Sequence, residues 1–173
     1  MSNKILNEVK ATIDELIQLL SSLSEAELNT RPFENSWTSA QVGEHLLKSY
    51  GVAQILEAPV KPTERPADEK IETIKEIMLN FDTKMNAPEF IIPSAESIDK
   101  AKLLNSLERV SSKIQSVAEN LDLSETCTGF ALPGIGELTR LEWLHFILYH
   151  TQRHIRQLKT IRENVIGKVK VHG

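Results

Sequence analysis

Between Leu103 and Leu121 the apolar residues Leu103, Leu107, Val110, Ile114, Val117 and Leu121 recur at a 4-3-4-3-4 spacing. That is the seam of a helix packed lengthwise against other helices, and no strand period fits it. A stripe of this length needs partners to cover it. The chain offers three more long helices. The first covers about Asn3 to Ser21, with Ile5, Val9, Ile13, Leu16 and Leu20 on one face. The second runs from Thr38 to about Glu57, with an inward stripe of Val42, Leu46, Ser49, Ala53 and Leu56. The seam itself belongs to a third, from about Ile98 to Asn120, and a fourth begins at Thr139 and runs to about Asn164.

Start signals support these boundaries. Ser24 with Glu27, Thr38 with Gln41 and Thr139 with Glu142 each have the spacing of a capping box. Each is flanked by a staple pair: Leu23 and Leu28, Trp37 and Val42, Leu138 and Trp143. The first box opens only a short helix, which ends before Arg31-Pro32.

The connections differ in length. Helices 1 and 2 are joined by a moderate link, as antiparallel neighbours would be. About 40 residues separate helices 2 and 3, enough to travel the length of a bundle and let those two run parallel. Pro59, Pro62, Pro66, Pro88 and Pro93 keep this crossover from being one helix. A short helix fits about 69–81, with Asp68 as its cap, and APEFIIPS reads as extended. DLSETCTGFALPGIGE reads as a turn-rich loop before helix 4. The expected fold is all-α, a four-helix bundle with a long crossover between helices 2 and 3, in a single domain spanning residues 1–173.

Composition excludes several functions. The formal net charge is −4 with no basic run, which argues against nucleic acid as a partner. No apolar run reaches the length of a membrane span, and the N-terminus alternates at helical spacing rather than forming a leader core. A single cysteine, Cys127, forbids an internal disulfide and a cysteine metal cluster. A reducing cytoplasm is the expected compartment.

The chemistry lies in the histidines. His150 and His154 are one helical turn apart and about 40° around the axis, so they share a face. That face also carries Trp143, Ile147, Leu158 and Ile161. Two imidazoles in an apolar stripe need hydrogen-bond partners or a cation. His45 lies on the inward face of helix 2, about two turns in, at a depth that facing helices can match. Three neutral imidazoles suit zinc, nickel or iron(II) and leave coordination positions open, as in catalytic sites. His145 points roughly 140° away from His150 and drops out. His172 lies in the tail, and both are expected to be partly exposed bystanders. A lone inward histidine is more commonly a hydrogen-bonded core residue; the spacing of the pair and the third member favour the metal.

The pieces ENSWTSAQVGEHLLKS, KMNAPEFIIP and LPGIGELTRLEWLHFILYHTQRHIRQLKTI together resemble the DinB-like (DinB/YfiT) superfamily of metal-dependent bundles. That family carries one histidine early in the second long helix and an H-x3-H pair in the last. His45, His150 and His154 match all three positions. The resemblance spans nearly the whole chain. It implies an up-down-down-up bundle, a divalent metal ion held by the three histidines (nickel or zinc, with iron as a further choice), and in many members a homodimer. It also implies a small-molecule substrate, with low-molecular-weight thiols used by characterised relatives.

Three classes of function follow. In the first, the protein is an enzyme in which a cation activates a thiol or water against a small electrophile, as an S-transferase or a hydrolase. In the second, it is a non-catalytic metal- or small-ligand-binding stress-response bundle. In the third, it is a structural or interaction protein whose histidines are merely buried. Trp37, Trp143, Phe130 and Tyr149 are candidate wall residues, with core packing the plainer role. Arg153 and Arg156 fit an anionic substrate or, more plainly, a solvated face. Glu44 and Glu142 are the nearest carboxylates in sequence, but Glu142 has a capping task. Cys127 has no neighbouring base and reads as a small loop residue rather than a nucleophile.

Overall fold

The computed structural model describes residues 2–82 and 94–172, with side chains for residues 3–82 and 94–166. Among the described residues the elements are, in order, α1 (Ser2–Ser21), α2 (Glu25–Leu28), α3 (Ser39–Ser49), α4 (Val52–Glu57), β1 (Val60–Lys61), α5 (Ile71–Met78), α6 (Lys100–Glu119), β2 (Thr126–Leu132), β3 (Gly136–Thr139) and α7 (Arg140–His172). The APEFIIP residues read as extended lie outside the described residues, and so does the side chain of His172.

α1, α3 with α4, α6 and α7 form the four-helix bundle. Side-chain contacts fix their directions. Gln115 donates to the Leu6 carbonyl while Lys100 reaches that of Ser21, so α6 runs against α1. Lys159 pairs with Glu15 and Arg162 reaches Ser22, so α7 runs with α1. Tyr50 meets Thr151 while Arg140 donates to the Leu56 carbonyl, so α3 and α4 run against α7. The order is up-down-down-up, with the long crossover between the second and third bundle helices.

All three capping boxes form. The Ser24, Thr38 and Thr139 hydroxyls each accept a backbone N–H three residues on at 3.1 Å, and Glu27, Gln41 and Glu142 reach back at 2.8–2.9 Å. The seam of α6 is buried along Leu103, Leu107, Ser111, Ile114 and Ala118, with Val110, Val117 and Leu121 flanking it. Fully covering Leu107 and Ile114 contributes about 1.5–3 kcal/mol each. Gly43 sits where α3 crosses α1 and α6. A Cβ there would meet Leu20 and Leu103 at 3.0 Å, so glycine permits the close approach.

The structure departs from the sequence expectations in four places, one being that α7 continues to His172 instead of ending near Asn164. The second long helix breaks at Tyr50–Gly51. Glycine is a poor helix former, and the Tyr50 ring is turned inward, 1 % exposed, to bond Thr151 at 2.7 Å. The expected loop at 122–137 contains a hairpin: β2 pairs antiparallel with both β1 and β3. Its turn depends on Gly134 (φ 82°) and Gly136 (φ 95°), left-handed positions that favour glycine. Only Thr126 and Cys127 of β2 are buried, so no alternating apolar pattern marks the strand. Finally, α5 starts at Ile71 without a side-chain cap, and Asp68 supplies only its backbone carbonyl to Ile71.

The crossover is pinned along the bundle. Arg65 grips Glu142 with both terminal nitrogens (2.7 and 2.8 Å), and the Lys70 backbone N–H also donates to Glu142 at 2.7 Å. Farther on, Arg153 donates to the Met78 and Asn80 carbonyls at the end of α5. At the far end Ser94 is held by Glu44 (2.7 Å) and Gln41 (3.0 Å), one turn or less from His45.

Candidate metal centre

α3 and α7 bring His45, His150 and His154 together. The His150 Nε2 lies 3.3 Å from the His45 Nε2 and 3.1 Å from the His154 Nε2. One donor nitrogen from each of the three lies within 4.8 Å of the others. Two ligands in tetrahedral positions, each about 2.0–2.1 Å from a zinc ion, are separated by roughly 3.3 Å, and a right-angled pair by about 2.9 Å. The two observed separations fall in this interval, so each fits two ligands on one cation.

Proton placement agrees with that use. The His154 Nδ1 lies 2.8 Å from the Gln157 Oε1, an acceptor, so Nδ1 carries the hydrogen. The Nε2 lone pair then points at His150. His45 is 2 % and His150 9 % exposed, while His154 is half-buried. Burial, with the neighbouring His154, His45 and Arg153, holds the His150 pKa well below the ordinary range. Burial and His45 push His154 down to about 4, against the opposing pull of its Gln157 bond. All three donors are nitrogen, and near pH 7 His150 and His154 are neutral, the state that binds a cation.

Rings hold the imidazoles in place. Phe146 stacks on His150 (5.2 Å, 19°), and Trp37 packs on His45 (5.1 Å, 52°). Of the wall residues expected from sequence, Trp37 thus borders the cluster. Trp143 packs between Phe130 and Phe146, and Tyr149 lies against His145. His145 is half-buried and its Nδ1 sits 3.0 Å from the Leu141 carbonyl of its own helix, away from the cluster.

The other expected groups have structural tasks. Glu44 holds Ser94 and pairs with Lys48 at 3.1 Å; Glu142 caps α7 and binds Arg65. Arg153 closes α5, and the Arg156 guanidinium lies 4.1 Å over the Phe81 ring. Cys127 is fully buried in β2, and burial pushes its thiol up to about 11, which suppresses the nucleophilic thiolate.

Gln157, Phe146 and the Tyr50–Thr151 bond were not singled out from sequence. Gln157 alone left a readable signal, as a polar residue three positions after a candidate ligand. Two open clefts, of about 350 Å³ between α1 and α7 and about 590 Å³ beside the hairpin, have no histidine in their linings. The donor set therefore marks the site here, and cavity size does not. Among the described residues no helix is long and apolar enough to cross a membrane.

The family model of the DinB superfamily matches residues 8–158. The chain is 29 % identical over 147 residues to the uncharacterized protein YuaE of Bacillus subtilis (strain 168), covering 84 % of this chain and 90 % of that protein. The fold is similar to the crystal structure of TT2238, a four-helix bundle protein, with a TM-score of 0.59 and 21 % identity over 92 % of this chain and 99 % of that one. It is also similar to YfiT from Bacillus subtilis, described as a probable metal-dependent hydrolase with an unusual four-helix bundle topology. There the TM-score is 0.59 and the identity 18 %, over 92 % of this chain and 85 % of that one.

Proposed function

The chain belongs to the DinB superfamily, and we propose that it is a divalent-metal-dependent enzyme whose ligands are His45, His150 and His154. The observation that carries this reading is the convergence of three Nε2 atoms at 3.1 and 3.3 Å. An all-imidazole donor set suits zinc, nickel and iron(II), and the family resemblance favours nickel or zinc among them. Three neutral ligands leave the cation's charge uncompensated and part of its coordination shell open. Held by His45, His150 and His154, such a cation would bring the pKa of a bound water or thiol toward neutrality.

This chain's residues supply the rest. Gln157 holds the His154 proton on Nδ1, Phe146 fixes the His150 ring plane, and Trp37 shields His45 from water. The reaction class we assign is attack by water or a low-molecular-weight thiol on a small electrophile. The description of YfiT as a probable metal-dependent hydrolase supports the water branch. Elemental analysis of the purified protein tests the metal, and we expect about one divalent ion per chain, lost in His150→Ala. Hydrolysis and thiol-consumption assays across an electrophile panel test turnover. Metal content unchanged in His150→Ala would sink the assignment. A metal-loaded protein inert across the panel would favour a second reading, a binding bundle without turnover, to which the burial of His45 and His150 also points.

A further inference from the structure

Resting on the metal reading above, we propose that Gln157 is the positioning residue of the centre, selecting the His154 tautomer that presents Nε2 to the cation. The Gln157 Oε1 lies 2.8 Å from the His154 Nδ1, and the His154 Nε2 lies 3.1 Å from the His150 Nε2. A neutral imidazole has one N–H, so an acceptor at Nδ1 keeps Nε2 bare. Helical geometry provides the reach. Side chains on α7 lean toward its N-terminus, so a residue at i+3 bends back over residue i. The glutamine side chain closes this bond within one helix. As an amide it orients the ring without adding a charge of its own.

His154 is the ligand that needs this help. His45 and His150 are fixed by burial and by the Trp37 and Phe146 rings, whereas His154 is half-buried. Without Gln157 its ring would place the proton on either nitrogen, and the Nε2–H form would aim hydrogen at the cation's position. Outer partners of metal-bound histidines contribute about 10–100-fold in affinity.

The test uses the full chain with Gln157→Met, Gln157→Ala and Gln157→Glu. Long-range proton–nitrogen correlation spectra of the metal-free protein report the His154 tautomer, and chelator competition reports the zinc Kd. The wild type should show Nδ1–H. Gln157→Met should shift His154 toward Nε2–H and weaken zinc binding about 10–100-fold, with the melting temperature in chelator unchanged. Gln157→Ala, a strong helix former, gives the same readings should the methionine variant fold poorly. Gln157→Glu restores an acceptor and should recover both the tautomer and wild-type or tighter affinity. An Nε2–H tautomer in the wild type, or an unchanged tautomer and Kd in both Gln157→Met and Gln157→Ala, overturns the proposal. A wild type that takes up no zinc, nickel or iron refutes the metal reading instead, and the tautomer spectra then decide the role of Gln157 alone.

Discussion

Replacing His150 with leucine should change the protein's stability very differently with and without metal. The His150 Nε2 has two Nε2 neighbours, at 3.3 and 3.1 Å, but one ring nitrogen completes one hydrogen bond. Without a cation, one of these approaches lacks a proper donor–acceptor match, an arrangement costing about 1–3 kcal/mol. Leucine removes that cost and fills much of the space, while losing a ring stack on Phe146 worth about 0.5–1.5 kcal/mol. In chelator, His150→Leu should therefore melt within a few degrees of wild type, at or above it. Zinc at about 1,000 times its Kd stabilises only the intact site, by about 4.1 kcal/mol. For a chain of this size that is roughly 8–16 °C. Scanning calorimetry of wild type and variant, each in chelator and in zinc, gives the four melting temperatures. His145→Leu is the control, since His145 bonds its own helix, and its shift should be the same in both buffers. If His150→Leu loses as many degrees in chelator as in zinc, His150 is a packing residue and the reasoning fails.

Three further outcomes follow from other parts of the fold. The Glu142 carboxyl lies below its ordinary range: burial pushes it up, but the Arg65 fork and the Thr139 and Lys70 N–H groups outweigh that. Its contribution is complete above the unfolded value of about 4.3 and disappears as pH falls through the lower folded value. Glu142→Ala should lose about 1–3 kcal/mol at pH 7 by removing the acceptor shared by the Arg65 fork and the Thr139 and Lys70 N–H groups, and urea midpoints should converge with wild type in acid; a gap constant with pH contradicts the ion pair. Gly43→Ala sets a helix-propensity gain of about 1 kcal/mol against overpacking of about 1–3 kcal/mol on Leu20 and Leu103. We expect a net loss of about 1 kcal/mol, and a raised urea midpoint would mean those side chains swing aside. Cys127 should resist thiol reagents in the native state and react fully in denaturant; rapid native labelling would contradict its burial in β2.

What could be read from sequence was whatever a single helix determines. The α6 seam, the α1 stripe and the three capping boxes depend on neighbours within one or two turns, and they form as the spacing requires. The β2–β3 hairpin was missed because its pairing is between strands and its outward residues carry no apolar alternation. The break at Gly51 was missed because what turns Tyr50 inward is Thr151, far away in sequence. The candidate centre divides along the same line. Helical spacing alone puts His150 and His154 on one face, and the lean of helical side chains puts Gln157 behind His154. How deep α3 sits against α7 is a tertiary quantity, and the distance from His45 to His150 depends on it. Two features bear on that depth: the missing Cβ of Gly43, which lets α3 approach α1 and α6, and the 2.7 Å Tyr50–Thr151 bond, adjacent to His150 in the chain and five residues from His45. Neither resembles a metal-site residue in the sequence. The donor atoms were therefore legible and the residues that bear on their separation were not, since a ligand is recognised by its chemistry and a spacer only by what it touches.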